Sequence, residues 1–169
     1  MTREYALIVN TKDCFGCSTC EVACKQEHNL PVGPRLIRVY PDSPRQIEGK
    51  LQLRYVVTHC LHCSQPQCLD ACPVNAINKR GDGIVLINEE LCTGCKDCID
   101  ACPLGVMYFN EEQGVAQKCD LCVDRVDRGL SPACVDACPG NCIYFGDVIE
   151  VSKRVDEHKL LTQYKDFSS

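Results

Sequence analysis

Apolar residues lie in short runs along this chain, and this pattern predicts short strands rather than long helices. The longest uninterrupted run is YALIV, from Tyr5 to Val9. Between Leu30 and His59, RLIRVY is followed by the alternating KLQLRYVV, a period of two that is typical of a half-buried strand. The segment therefore predicts a two-stranded hairpin with a proline-rich tip. Its prolines are Pro31, Pro34, Pro41 and Pro44.

A second hairpin is predicted between Tyr55 and Asn110. Gly81, Asp82 and Gly83 mark a turn inside VNAINKRGDGIVLI, and LGVMYFN has the character of a closing strand. The tail from Asp147 to Tyr164 alternates apolar and charged residues, which predicts a helix packed on the domain. Its apolar positions are Val148, Ile149, Val151, Val155, Leu160 and Leu161.

Composition limits the core that these elements can share. The 169 residues are enough for one compact domain or two small ones, but there is no tryptophan and only 6% of the residues are aromatic. The formal net charge of -5 argues against nucleic acid as a partner. No apolar run approaches the roughly 20 residues of a membrane-spanning helix, so we expect no direct membrane insertion.

Cysteine changes this picture. Sixteen of the 17 cysteines fall into four consecutive quartets. The first and third quartets have the spacing CxxCxxCxxxC, the second has CxxCx4CxxxC, the fourth has CxxCx11CxxxC, and a proline directly follows all but the first. In chain order the quartets are Cys14, Cys17, Cys20 and Cys24; Cys60, Cys63, Cys68 and Cys72; Cys92, Cys95, Cys98 and Cys102; and Cys119, Cys122, Cys134 and Cys138.

These spacings are those of iron–sulfur ligation. In the arrangement CxxCxxCxxxCP of bacterial ferredoxins, three thiolates bind one cluster and the fourth binds a second cluster. Structural zinc uses two separated CxxC pairs and does not need a third cysteine two residues further on. Disulfides need an oxidising compartment, whereas MTREYALIVN lacks the features of a secretory signal. The quartets therefore predict four [4Fe-4S] clusters, an electron-transfer role and folding that depends on the metal.

Crossed ligation predicts which cysteines share a cluster. The second and third quartets flank the short hairpin at Gly81 to Gly83, so each is expected to contribute its last cysteine to the other. The first and fourth quartets then pair across the chain. The predicted sets are Cys14, Cys17, Cys20 and Cys138; Cys24, Cys119, Cys122 and Cys134; Cys60, Cys63, Cys68 and Cys102; and Cys72, Cys92, Cys95 and Cys98. Sequential pairing is the alternative, although 35 residues between Cys24 and Cys60 make a long ferredoxin connection.

The expected architecture is an α+β fold of two bacterial-ferredoxin-like dicluster units, one inserted in the other. The predicted divisions are an outer unit of residues 1–29 plus 111–150, a hairpin insertion at 30–54, an inner unit at 55–110, and a C-terminal helix or tail at 151–169. The hairpin insertion either covers a cluster or docks a partner. Covering is favoured, because a hairpin with one apolar face usually packs inward.

Few residues outside the quartets carry chemistry. Cys142 is the odd thiol, either a buried structural cysteine or a spare ligand. His59 and His62 flank Cys60, where an imidazole either donates a hydrogen bond to a cluster sulfur or packs as an ordinary side chain. Lysines near the quartets either shift cluster potentials through their charge or are solvated. They are Lys12, Lys79, Lys96 and Lys118.

The quartets also resemble those of a known family. With HCLHCSQPQCLDACP in the second, CTGCKDCIDACP in the third, and KCDLCVDR and CVDACP in the fourth, residues 13–147 resemble the four-cluster iron–sulfur subunits of the molybdenum and tungsten pterin oxidoreductases. The resemblance implies that all sixteen quartet cysteines are ligands in a non-catalytic subunit of a complex in anaerobic metabolism. Such a subunit relays single electrons between a large catalytic pterin subunit and another carrier, such as a flavin subunit or soluble ferredoxin.

Within that family, HNLPVGPRLIRVYP is most similar to the small subunits of tungsten aldehyde oxidoreductases and benzoyl-CoA reductases. The chain is short for the family and shows neither a long C-terminal extension nor a twin-arginine or secretory signal, so we expect a cytoplasmic complex. The alternative function is a freestanding polyferredoxin that shuttles electrons between several enzymes.

Overall fold

The computed structural model describes residues 4–47 and 49–154, and these form an α+β fold of short elements. Their strands make five separate two-stranded antiparallel sheets. The strands are β1 (Tyr5–Val9), β2 (Ile37–Pro41), β3 (Arg45–Ile47), β4 (Lys50–Gln52), β5 (Tyr55–His59), β6 (Ile77–Lys79), β7 (Val85–Ile87), β8 (Tyr108–Asn110), β9 (Val115–Gln117) and β10 (Ile143–Asp147). The helices are α1 (Thr19–Glu27), α2 (Gln67–Asp70), α3 (Asp97–Asp100), α4 (Val123–Val126), α5 (Ala133–Asp136) and α6 (Val148–Arg154). None of the helices in these ranges is long and apolar enough to cross a membrane.

Four helices position the third and fourth cysteines of the quartets. The third cysteine lies in the first turn, and the fourth lies four residues later, within α1 but just beyond the end of the other three helices. These pairs are Cys20 and Cys24 on α1, Cys68 and Cys72 at α2, Cys98 and Cys102 at α3, and Cys134 and Cys138 at α5. Pro73, Pro103 and Pro139 follow the short helices, which they cannot continue. No proline follows Cys24, and α1 runs on to Glu27.

The first and last strands of the described chain pair with each other. β1 is antiparallel to β10, with Tyr5 opposite Asp147. Side chains alternate across this sheet, so Ala6 and Ile8 pack against buried Val151 of α6, while the other face of β1 joins the main core. The helix predicted after Asp147 is confirmed as far as α6. Its predicted apolar positions Val155, Leu160 and Leu161 lie outside the described residues.

The hairpin predicted before His59 is present, but its tip differs from the prediction. β2 pairs with β5, with Ile37 opposite His59, and β3 and β4 extend the hairpin outward. Pro31 and Pro34 lie before β2, Pro41 is its last residue, and Pro44 lies between β2 and β3. Proline lacks the N–H group that continues strand pairing, so these positions at and beyond the strand ends suit it. Ile37 and Val57 at the base are buried, whereas Leu51 on β4 is 78% exposed. The base of the hairpin therefore covers the core and its outer part faces solvent.

Two further hairpins follow. The turn at Gly81 to Gly83 connects β6 to β7, as predicted. β8, the predicted closing strand, pairs with β9, a strand that the sequence pattern did not indicate. The hairpins β2/β5 and β8/β9 cross the predicted limits of the inner unit at 55 and 110. The β6/β7 turn is joined to β1 by a 2.9 Å hydrogen bond from the Tyr5 N–H to the Asp82 carbonyl.

Thiol groups form much of the main core. Leu7, Ile37, Ile84 and Leu121 are buried there among cysteines from three quartets. The buried cysteines of this cluster are Cys20, Cys24, Cys60, Cys119, Cys134, Cys138 and Cys142. A smaller cluster packs apolar side chains from β6, β7 and β9 around Cys98. The hydrocarbon core is thin, as composition predicted, and it surrounds the cysteines rather than excluding them.

One glycine in the third quartet has no room for a side chain. Gly94 has φ +72°, and an added Cβ would lie 2.5 Å from the carbonyl oxygen of Gly114. Because that obstacle is backbone, we expect Gly94→Ala to cost more than the roughly 1–2 kcal/mol of the left-handed conformation alone. The loop that holds Cys92 and Cys95 should then retain less iron, measured as metal content per chain.

Gly105→Ala is the matched control for that variant. Gly105 has φ +58° and no heavy atom within 4 Å of an added Cβ, so only the conformational cost applies. Iron loss and destabilisation of equal size in the two variants would contradict the steric explanation.

Candidate metal centres

The predicted cysteine sets lie around separate centres, and the first involves both ends of the chain. We define site A as the cavity lined by Cys14, Cys17, Cys20 and Cys138. The first two cysteines come from the loop before α1, the third from α1 itself, and the fourth follows α5, which packs against α1. Val39 and Val57 from the hairpin β2/β5 also line the cavity. Cys17 is exposed, so site A has one predicted ligand at the surface.

Site B, defined as Cys24, Cys119, Cys122 and Cys134, lies one helical turn away. All four thiols are buried. Burial, together with the neighbouring Cys122 and Asp120, raises the pKa of Cys24 to about 12. Burial, Cys122 and Cys24 likewise raise the pKa of Cys134. The thiols that raise each other's pKa in this way are close neighbours in one buried group.

Site C is the cavity lined by Cys60, Cys63, Cys68 and Cys102. The fourth cysteine belongs to the third quartet in sequence, but α3 and α2 pack together and bring it to the second quartet. His62, Val85 and Lys118 also line this cavity. Burial raises the pKa of Cys68 to about 11, while the charge of Lys118 opposes the rise.

Site D is the cavity lined by Cys72, Cys92, Cys95 and Cys98. Cys72 accepts a 3.2 Å hydrogen bond at its Sγ from the backbone N–H of Ala76. Such N–H···S bonds stabilise negative charge on sulfur and raise the potential of a cluster. Cys95 is exposed, so site D, like site A, has one predicted ligand at the surface.

The four sites are adjacent in the order A, B, C, D. Sites A and B share helices α1 and α5, and sites C and D share α2 and α3, because the two cysteines of each helix belong to different sites. Sites B and C are neighbours through Cys119 and Cys60, since Cys60 contributes to the raised pKa of the Cys119 thiol. The exposed cysteines Cys17 and Cys95 belong to the first and last sites of this order.

The donor set suits iron–sulfur clusters. Each site offers four thiols and no carboxylate among its four predicted ligands, and sulfur-only sites of this kind hold iron–sulfur clusters or zinc. Burial raises the pKa of thiols at all four sites, for example that of Cys98 to about 11. Thiols of this kind ionise only when a metal replaces the proton, so loading releases protons.

Cys142 lies beside site A without belonging to a quartet. Its Sγ is 3.5 Å from the Sγ of Cys138, and it lines the same cavity. Burial raises the pKa of Cys142, as does its hydrogen bond to Cys138. Although burial acts in the opposite direction, hydrogen bonds from the backbone and thiol of Cys142 lower the pKa of Cys138 overall. These opposite shifts make Cys138 the more acidic thiol of the pair and favour Cys142 as the donor.

This division of roles predicts that Cys142→Ala keeps all four clusters. The variant should lose about 1 kcal/mol of stability, a typical cost of a small buried substitution, with unchanged iron per chain. Cys138→Ala, four residues earlier, should lose the cluster of site A. If Cys138→Ala retains its iron and the double variant loses it, Cys142 is a spare ligand and the assignment is wrong.

The histidines and lysines near the quartets differ in their surroundings. His59 is buried, with Nδ1 2.9 Å from the Cys60 carbonyl, and burial lowers its pKa. His62 is also buried, and its Nδ1 accepts the N–H of Val85 at 2.9 Å. Lys12 and Lys96 are exposed and Lys79 is half-buried. Lys118 is the only one of these four lysines that is buried, at 5% exposed.

His62 retains one unsatisfied polar atom. Because Nδ1 accepts a hydrogen bond, Nε2 carries the proton. Among the described residues, Nε2 is the one buried side-chain nitrogen or oxygen without a hydrogen-bond partner. The ring lines site C, where cluster sulfurs are suitable acceptors, so this atom fits the sequence-based hypothesis that His62 donates a hydrogen bond to a cluster.

Sequence analysis did not identify His28. Its Nε2 lies 3.5 Å from the Sγ of Cys122 and 3.4 Å from Oδ1 of Asp120. It follows α1, whose packing brings it to site B from 94 positions away in the chain. No local pattern could have indicated this contact, because the two residues meet only after the first and fourth quartets have come together.

Comparison with known proteins agrees with four predicted clusters. Two family models, each described as a 4Fe-4S dicluster domain, match residues 51–148 and 13–77. Two dicluster domains account for four [4Fe-4S] clusters. The first match alone covers more than half of the chain.

Relatives of known name point to one type of subunit. The chain is 38% identical to a subunit of the anaerobic dimethyl sulfoxide reductase of Escherichia coli, over 78% of this chain and 68% of that protein. It is 37% identical to the electron transfer subunit of thiosulfate reductase of Salmonella typhi, over 79% and 70%. It is 41% identical to a subunit of the tetrathionate reductase of Archaeoglobus fulgidus, over 75% of this chain but only 59% of that protein. The chain belongs to the 4Fe-4S dicluster family and, within it, to the iron–sulfur electron-transfer subunits of the molybdopterin oxidoreductases.

Proposed function

We propose that the chain relays single electrons through sites A, B, C and D between a catalytic pterin subunit and a second redox carrier. The observation that carries the proposal is the order of the sites. Sites B and C have no exposed cysteine, whereas Cys17 of site A and Cys95 of site D reach the surface. An electron can therefore enter at one end and leave at the other, with two enclosed sites between them.

The ligand sets support a relay rather than catalysis. Each site has four thiols, so a [4Fe-4S] cluster held there would have every iron bound to the protein. Substrate would find no open position on the metal. The clusters supply one-electron transfer, and the chain's own residues enclose them and set their potentials.

We propose the inserted arrangement for the two dicluster units. The pairing of β1 with β10 and the packing of α1 on α5 support an outer unit made of residues 1–29 and 111–150. The packing of α2 on α3 supports an inner unit at 55–110. The hairpin at 30–54 and the segment 151–169 complete the proposal. The hairpins β2/β5 and β8/β9 cross the limits at 55 and 110. A fragment that tests either unit should therefore keep β5 with β2 and β9 with β8.

The catalytic partner follows from the family, and the other partners are proposed. Relatives named for dimethyl sulfoxide, thiosulfate and tetrathionate reductases imply a large molybdopterin subunit. Four further features stay predictions from the sequence. They are a flavin subunit or soluble ferredoxin as second carrier, tungsten in place of molybdenum, similarity to aldehyde oxidoreductase or benzoyl-CoA reductase small subunits, and a cytoplasmic location. The relatives favour a subunit over a freestanding polyferredoxin.

Anaerobic purification from the native host distinguishes these two functions. A tagged chain should elute from size exclusion together with a large subunit in a fixed ratio, and dithionite-reduced chain should pass electrons to that subunit. A monomeric chain that reduces several separated oxidoreductases equally well would instead establish the polyferredoxin.

A further inference from the structure

Lys118 is a buried cation directed to site C, although it precedes a ligand of site B in sequence. Its side chain is 5% exposed and lines the cavity of site C. Its ammonium donates hydrogen bonds to the Val85 carbonyl and, at 3.1 Å, to the Cys119 carbonyl. These two carbonyls hold the charge between β7 and the loop that begins site B.

The protein supplies no anion for this charge in the part of the chain that the structure describes. None of the ion pairs found there includes Lys118. Neighbouring His62 cannot compensate, because an imidazole is either neutral or positively charged. A buried ammonium with only neutral carbonyl partners is unfavourable unless a negative charge lies nearby.

A negative charge beside Lys118 would be that of a cluster at site C. Lys118 lines the cavity of this site together with Cys63 and Cys68. The charge of Lys118 therefore faces the space that the cluster would fill. An oxidised cluster with four thiolates carries about -2, and reduction makes it more negative by one charge.

We propose that Lys118 is the fixed counter-charge of site C and keeps the reduction potential of its cluster above the value that the same four thiolates would give alone. The inference rests on the proposed function, since it requires a cluster at site C. Reduction adds negative charge beside a cation in a site with little water, where charge interactions are strong. Site C is thus expected to hold the electron more tightly than it would without Lys118.

Lys96 provides the contrast within the same chain. It directly follows the ligand Cys95 and lines site D, but its side chain is 48% exposed. Its Nζ lies 3.5 Å from Oε1 of Glu111 and 3.9 Å from the centre of the Phe109 ring. Solvent and a carboxylate screen this charge, so its effect on a cluster is expected to be small.

The test is a potentiometric titration of the loaded protein followed by electron paramagnetic resonance. Lys118→Met removes the charge and keeps a side chain of similar length. It should lower the equilibrium constant for reducing site C at least tenfold, a shift of about 59 mV for one electron. Lys96→Met should shift site D by less than half as much. The signals are assigned beforehand with ligand variants of each site.

The outcomes separate this inference from the proposed function. If the wild-type chain holds no cluster at site C, the result contradicts the proposed function and, with it, the inference. A full set of clusters in Lys118→Met with an unchanged potential at site C overturns the inference alone. If Lys118→Met loses the cluster of site C, Lys118→Arg decides, because it keeps the charge. Retention of the cluster and its potential in that variant supports the inference, and loss there overturns it.

Discussion

Replacing Cys102 by serine should remove the cluster of site C and leave site D intact. Cys102 ends the third quartet, whose first three cysteines belong to site D, but its side chain lines site C with Cys60, Cys63 and Cys68. We expect a loss of about four of about sixteen irons per chain, together with the resonance signal assigned to site C. Iron analysis and electron paramagnetic resonance of the reduced protein measure both.

Cys98→Ser is the matched control, because Cys98 lies one helical turn earlier on α3 and lines site D. It should produce the reciprocal result, with site D lost and site C retained. If Cys102→Ser and Cys98→Ser remove the same signal, ligation is not crossed within this pair of quartets and the assignment of Cys102 to site C is wrong.

Removing the iron should unfold most of the chain. Five two-stranded sheets and four helices of four residues each are too short to be stable alone, since isolated hairpins and short helices are marginal in water. Six of the 17 buried residues of the main core are predicted ligands, so loss of the clusters would leave buried thiols without partners. We expect far-ultraviolet circular dichroism and amide protection to collapse after anaerobic chelation.

Reconstitution provides the control for this experiment. Iron and sulfide added under reducing conditions should restore both signals, whereas zinc should not restore the native spectrum. Native-like circular dichroism and protection in chain that retains no iron would contradict metal-dependent folding.

The features that spacing determines were accessible from the sequence. Pro73, Pro103 and Pro139 cannot continue a helix and directly follow the fourth cysteines, so the short helices before them agree with the pattern of the last three quartets. The β6/β7 turn was predicted because its glycines and Asp82 are strong turn residues. The assignment of the cysteines as ligands stays a prediction until metal is measured.

Features that depend on tertiary packing were not accessible. β9 is a three-residue strand next to a polar turn, and only its pairing with β8 makes it a strand. The proximity of His28 to Cys122 and the burial of Lys118 also arise from packing between distant segments. Lys118 directly precedes a quartet, but Lys12 and Lys96 also lie within two residues of a quartet cysteine, so the pattern could not identify Lys118 as the buried one.

Metal analysis of the complex tests the central claim most directly. Iron, sulfide, zinc, molybdenum and tungsten should be counted per chain in material purified anaerobically from the native host. We predict about sixteen irons, an equal amount of sulfide, and stoichiometric molybdenum or tungsten from the partner subunit. Zinc in place of iron would contradict the cluster assignment, and full iron without either heavy metal would contradict the role as a subunit of a pterin oxidoreductase.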